Sequence, residues 1–155
     1  MTFISLPLSL RGIATEKPLR PIHWPRVVAS GALWSVAYNF VWGVAWFAFM
    51  RDEWQAASFA VKRSMPWTGE VWFGWGAITV LLGAVIMAYA AGQPRSPLKS
   101  AVYAGLALWL VLSGGFTLWG RQSSFSIRVL ALDALVNLLG LVAGSLAGGW
   151  SQIEP

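Results

Sequence analysis

The 25 residues 129–153, VLALDALVNLLGLVAGSLAGGWSQI, hold one charged side chain, Asp133, and are otherwise apolar, small or uncharged. A helix rising ~1.5 Å per residue needs roughly 20 residues to cross a hydrocarbon core, so this stretch is long enough to span a bilayer. Three stretches without any charge precede it, at 27–50, 71–94 and 100–120. Inside a bilayer the backbone must bond to itself, and continuous apolar runs do so as helices rather than as alternating barrel strands. The pattern predicts an all-α integral membrane four-helix bundle, up-down-up-down, with spans at about 27–50, 71–92, 100–119 and 128–150.

The rest of the chain fits around those spans. Of 155 residues, 57% are hydrophobic and 11% charged, which leaves no material for a separate soluble domain. The absence of cysteine excludes thiolate catalysis, iron–sulfur clusters and thiolate zinc sites, and a single His23 excludes a bis-histidine haem, so neither metal nor cofactor is expected. The net charge of +5 sits in segments flanking apolar spans, where it meets anionic headgroups rather than nucleic acid.

Residues 1–26, with Pro7, Pro18, Pro21 and Pro25 and four basic side chains, read as an extended arm that cannot form a core. Ile4, Leu6, Leu8 and Leu10 of this arm are expected to rest on a partner subunit. Its first ten residues lack a positive n-region and a cleavage site, so the first span is expected to act as an uncleaved insertion signal. Residues 151–155 form a short tail. Arg11, Lys17, Arg20, Arg26, Arg95 and Lys99 fall on one side of the predicted bundle, against Arg51, Lys62, Arg63, Arg121 and Arg128 on the other. The basic arm before the first span then favours both termini in the cytoplasm, and the membrane is expected to be a bacterial inner membrane. Between the first two spans, Trp54, Ala57 and Val61 recur at helical spacing behind Asp52 and Glu53, which predicts a short interfacial helix separate from the first span.

Three of the four spans carry a small or polar stripe. In the fourth, Asp133, Asn137, Gly140, Gly144 and Gly148 share a face, opposite Leu135, Leu139, Val142 and Leu146. The doubled GxxxG of Gly140, Gly144 and Gly148 predicts close helix packing. Gly31, Ser35, Asn39 and Gly43 repeat every four residues in the first span, and Gly76, Thr79, Gly83 and Ala90 share a face of the second. With the first and fourth spans antiparallel, Asn39 and Asn137 fall at similar depths, and Asp133 lies about a turn away. Two readings stand: a proton or cation site of Asp133, Asn137 and Asn39, or a headgroup-level Asp133 paired with Arg128 or Arg121 as a structural tie.

The eleven tryptophans divide by depth. Trp46, Trp54, Trp67, Trp72, Trp75 and Trp119 gather toward one interface and Trp24, beside Arg26, and Trp150 toward the other, as an aromatic belt with cationic anchors would. Trp34, Trp42 and Trp109 lie deeper, where they either pack the bundle or touch a lipid, quinone or pigment. His23 and Glu70 read as an interfacial polar anchor and a helix N-terminal carboxylate. No G-x-S-x-G, HExxH, P-loop or Rossmann fingerprint occurs, so catalysis is not expected.

Trp46-Phe47 with Trp54 after it, Ala88-Tyr89-Ala90, Gly120-Arg121, and the run from Asp133 through Gly144 to Trp150 together resemble a broad family of small four-span bacterial membrane proteins carrying a domain of unknown function. That resemblance covers about two thirds of the chain and implies architecture alone, with no activity, cofactor or catalytic residue. The expectation is a non-catalytic accessory subunit of a larger inner-membrane, energy-transducing assembly. The alternatives are a small proton-coupled carrier using Asp133, or a binder of lipid, quinone or pigment.

Overall fold

The computed structural model describes residues 22–60, 68–122 and 125–153, and every element among them is helical. They are α1 (Trp24–Ala45), a π-helical turn (Trp46–Met50), α2 (Arg51–Ala60), α3 (Gly69–Gly92), α4 (Pro97–Gln122) and α5 (Ile127–Ser151). Four helices are long and apolar enough to cross a membrane: the continuous run Trp24–Ser58, α3, α4 and α5, of 35, 24, 26 and 25 residues. The chain is a multi-pass membrane protein by that criterion.

Local chemistry explains the helix ends. Pro25 occupies the first turn of α1, where its missing N–H costs nothing. Thr68 and Ser126 cap α3 and α5 by accepting hydrogen bonds from the amides of Val71 and Val129, at 3.5 and 3.3 Å. Glu70 stands in the first turn of α3, where a carboxylate favours the positive end of the helix.

Two boundaries differ from those expected. The arm was bounded at 26, but Trp24, Pro25 and Arg26 are the first turn of α1; the arm's residues 1–21 lie outside the described residues, as do Trp67, Lys62 and Arg63. No loop follows Met50. Helix continues through a π turn in which the Arg51 amide reaches back five residues to the Trp46 carbonyl. The interfacial segment is therefore the C-terminal extension of the first span, not a separate element.

The π turn has a physical reason. Trp34, Tyr38, Trp42, Trp46, Met50 and Trp54 are spaced four apart and all are buried. In an uninterrupted α-helix a four-residue spacing drifts by about 40° per step, which would carry Trp54 to the far face. One wide turn takes back part of that drift, and Met50 and Trp54 stay inward while Phe49 faces out.

α1 packs chiefly on α3 and α5, and α4 on α5 and α3. Ser30, Trp34 and Tyr38 meet Gly148, Gly144 and Gly140 in turn, so α1 and α5 run antiparallel. Gly31, Ser35 and Trp42 likewise meet Gly83, Thr79 and Trp72 in descending order along α3. On the other side, Gly105 approaches Ser145, Gly120 approaches Leu130, and Gly149 approaches Leu98. α2 covers one end of this array: Trp54 packs on Phe116 and Phe125, with ring centroids 5.8 and 5.4 Å away, and Glu53 pairs with Arg128 at 2.6 Å. Trp54 is thus a buried core residue, not the interfacial anchor that its place in the sequence suggested.

Candidate functional site

The interior is organised by the aromatic ladder of α1. Trp34 and Tyr38 stack at 5.3 Å and 6°, and Trp42 and Trp46 at 5.3 Å and 11°. From α3, Trp72 meets Trp42 and Trp46 edge-on, and Trp75 tilts against Tyr38 and Trp42. These rings bury large areas and hold offset or edge geometries that suit their quadrupoles. Trp46, Trp72 and Trp75 accordingly serve the core or its margin rather than a simple belt. Trp34, at 0% exposure, and Trp42 are enclosed by their own chain, so neither offers a surface to a quinone, pigment or lipid. Of the three deep tryptophans only Trp109 keeps exposed ring area, and its indole N–H is donated to the Ala134 carbonyl at 2.8 Å.

The glycine face of α5 is the socket for this ladder. A Cβ on Gly144 would lie 2.9 Å from the Trp34 carbonyl oxygen and 3.0 Å from its ring; one on Gly140 would lie 2.8 Å from the Tyr38 ring. At Gly148 the neighbours are the Ser30 carbonyl oxygen and the Met87 sulfur. The close backbone approach that the spacing predicts is present, since all three glycines face α1 carbonyl oxygens, and at Gly140 and Gly144 the notch also receives a large ring. A second backbone contact joins α1 to α3: a Cβ on Gly31 would lie 2.7 Å from the Ala84 backbone, and Gly83 faces Gly31 directly. Gly43 does not belong to the packing set. It faces open space, because the α1 stripe at that level follows Trp42 and Trp46.

The candidate polar residues Asp133, Asn137 and Asn39 fall into two groups, not one. Tyr38 Oη donates to Asn137 Oδ1 at 2.5 Å, and Asn137 Nδ2 donates to Asp133 Oδ2 at 2.8 Å and to the Asp133 carbonyl at 2.9 Å. Asn39 turns instead toward α3, where its Nδ2 donates to Thr79 Oγ1 at 2.9 Å and to Ser35 O at 2.8 Å, while the Ser35 and Thr79 hydroxyls bond at 2.9 Å. Asn39 and Asp133 are thus not members of one cluster. One position along α1 separates Tyr38 from Asn39, and about 100° of helix rotation sends the two side chains to different neighbours.

Asp133 lies about 9 Å into α5 by helical rise and is 8% exposed. The expected tie to Arg128 or Arg121 is absent. Arg128 is committed to Glu53, and no cation pairs with Asp133 among the described residues. The carboxylate's protein contact is the Asn137 amide, and that amide links it to the tyrosine hydroxyl. An amide donates and accepts hydrogen bonds but does not titrate, so the chain fixes the orientation of Asp133 without forming a proton-sharing pair with Tyr38.

The anchors divide similarly. Trp24 and Trp150 are exposed at one end of the array and Trp119 at the other, as membrane anchors would be. Arg26 donates to the Ile153 carbonyl at 3.5 Å, tying the start of α1 to the end of α5. Sequence reading missed the role of Tyr38; its spacing of four from Trp34 and from Trp42 was the available signal. Among the described residues no group of three or more His, Cys, Asp or Glu side chains is placed to hold a metal ion. No protein-family model matches this chain, and comparison with curated proteins and with solved structures gives no match either.

Proposed function

We propose that this chain is a non-catalytic accessory subunit of a larger bacterial inner-membrane assembly, folded as an up-down-up-down bundle with both termini in the cytoplasm. The observation that carries the reading is a contrast among glycines. Gly31, Gly83, Gly105, Gly120, Gly140, Gly144, Gly148 and Gly149 each have their missing side-chain volume filled by a neighbouring helix. Gly43, Gly74 and Gly76 meet no neighbour but are half-buried, whereas the adjacent Gly114 and Gly115 of α4 are exposed, face open space, and lie between exposed Val111 and Leu118. Lipid tails gain little from a glycine notch, whereas a helix of another subunit gains close approach and dispersion contact. The interior supports a structural role too, since the side chains of Ser35, Asn39, Thr79 and Asn137 bond to one another, to backbone or to neighbouring side chains, and large rings fill the remaining space. The resemblance to small four-span bacterial membrane proteins belongs to the same proposal.

Purification in gentle detergent followed by mass spectrometry tests it. Larger membrane subunits should co-purify with the wild type and be lost with Gly115→Leu, while the variant's own unfolding is unchanged. Recovery of this chain alone or as a homo-oligomer would refute the accessory role.

Asp133 supports a second reading, a small proton-coupled carrier, because a carboxylate held inside a span without a cationic partner marks ion pathways in membrane proteins. Dissipation of an imposed pH gradient by proteoliposomes, abolished by Asp133→Asn in protein that remains folded, would favour this reading over the first.

A further inference from the structure

Gly105 and Gly149 bring α4 and α5 close together at the end where α4 begins and α5 finishes. A Cβ on Gly149 would lie 2.9 Å from Leu98 Cα, and one on Gly105 would collide with Ser145 Oγ. The outer side of this contact is a crease of about 310 Å³, lined by Leu98, Lys99, Val102 and Tyr103 of α4 and Leu146 of α5. That volume is roughly ten times the share of one liquid water, enough for a stretch of one hydrocarbon chain and too little for a folded partner.

The crease is graded along its length. Lys99 stands in the first turn of α4, at the level where headgroups begin, and Tyr103 lies one turn deeper on the same face. Below the Lys99 ammonium the lining is Val102, Leu146 and the body of Tyr103, which is 61% exposed. Lys99 is itself exposed and has no protein partner among the described residues. Among the described residues, the charged side chains at this end are Arg26, Arg95 and Lys99. The opposite end sets Arg51, Arg121 and Arg128 against Asp52, Glu53 and Glu70.

We propose that the crease binds one acyl chain of an anionic glycerophospholipid, whose phosphate is held by the Lys99 ammonium. A flexible lysine stem over an apolar floor suits this task, because the cation reaches the phosphate while its methylenes cover the chain. A zwitterionic lipid fits less well, since its own cation would enter the field of Lys99. The proposal rests on the membrane reading and extends it to a particular lipid class and leaflet, the one facing this basic end.

The test is native mass spectrometry of the full chain released from nanodiscs of equimolar dioleoyl phosphatidylglycerol and phosphatidylcholine. The wild type should retain phosphatidylglycerol over phosphatidylcholine by about fivefold, the scale of one basic side chain at an anionic surface. Lys99→Gln should bring retention to parity, and Val102→Trp, which fills the crease, should lower retention of both lipids. Arg95→Gln removes the same charge outside the crease and should leave the preference in place. Equal retention of both lipids by the wild type, or equal loss with Lys99→Gln and Arg95→Gln, would overturn the site while leaving the membrane reading intact. Failure of the wild type to enter nanodiscs would overturn both.

Discussion

Gly144→Ala adds one methyl group where the structure leaves no room for it. The new Cβ would lie 2.9 Å from the Trp34 carbonyl oxygen and 3.0 and 3.1 Å from two atoms of its ring. Neither obstacle yields cheaply: the carbonyl belongs to the α1 backbone, and the ring is fully buried, stacked on Tyr38 and bonded through Nε1 to Ser145 Oγ at 3.3 Å. Overpacking of this kind costs ~1–3 kcal/mol, against which the better helix propensity of alanine returns at most about 1 kcal/mol. The net expectation is a loss of roughly 0–2 kcal/mol. Gly43→Ala is the matched control, since its Cβ meets nothing within 4 Å and only the propensity gain remains. The propensity gain is common to both variants, so they should differ by the overpacking cost, about 1–3 kcal/mol, or roughly 5- to 150-fold in the unfolding equilibrium. Reversible unfolding in mixed micelles with rising sodium dodecyl sulfate, followed by tryptophan fluorescence, measures that difference. If Gly144→Ala proves as stable as Gly43→Ala, the ring-in-socket account of the α1–α5 contact is wrong.

Tyr38→Phe should lower stability by about 1–3 kcal/mol in the same assay, because Asn137 Oδ1 loses its donor inside the span. Asp133→Asn should unfold no more easily than the wild type, since it removes a buried charge that has no cationic partner; marked destabilisation would show that the charge is compensated after all. At the covered end, a Glu53→Gln and Arg128→Gln double-mutant cycle should yield only about 0–1 kcal/mol of coupling, the range for an ion pair whose arginine is exposed, whereas Trp54→Ala should cost ~3 kcal/mol or more. Reporter fusions at the two termini should report the same side of the membrane, as an even number of spans requires; signals from opposite sides would remove the four-span reading.

What the sequence determined by itself was length and polarity. The near absence of charge from 27–50, 71–94, 100–120 and 129–153 leaves the backbone in those stretches no partner but itself, and helices of membrane-crossing length follow without reference to any tertiary contact. The outward Leu135, Leu139 and Leu146 and the inward Gly140, Gly144 and Gly148 were legible for the same reason, since helical periodicity fixes relative faces. Depth and periodicity do not say which neighbour a face meets. Asn39 and Asn137 share a level yet bond to different helices, Arg128 passes over the nearby Asp133 to reach Glu53 on α2, and Gly43 repeats the spacing of Gly31 without touching anything. Those outcomes depend on helix rotation, on the volume of Trp34 and Tyr38 pressed into α5, and on one wide turn at Trp46–Met50 that re-aims everything after it. Each is a property of helices packed together, where a shift of one residue turns a side chain by about 100° and exchanges its partners.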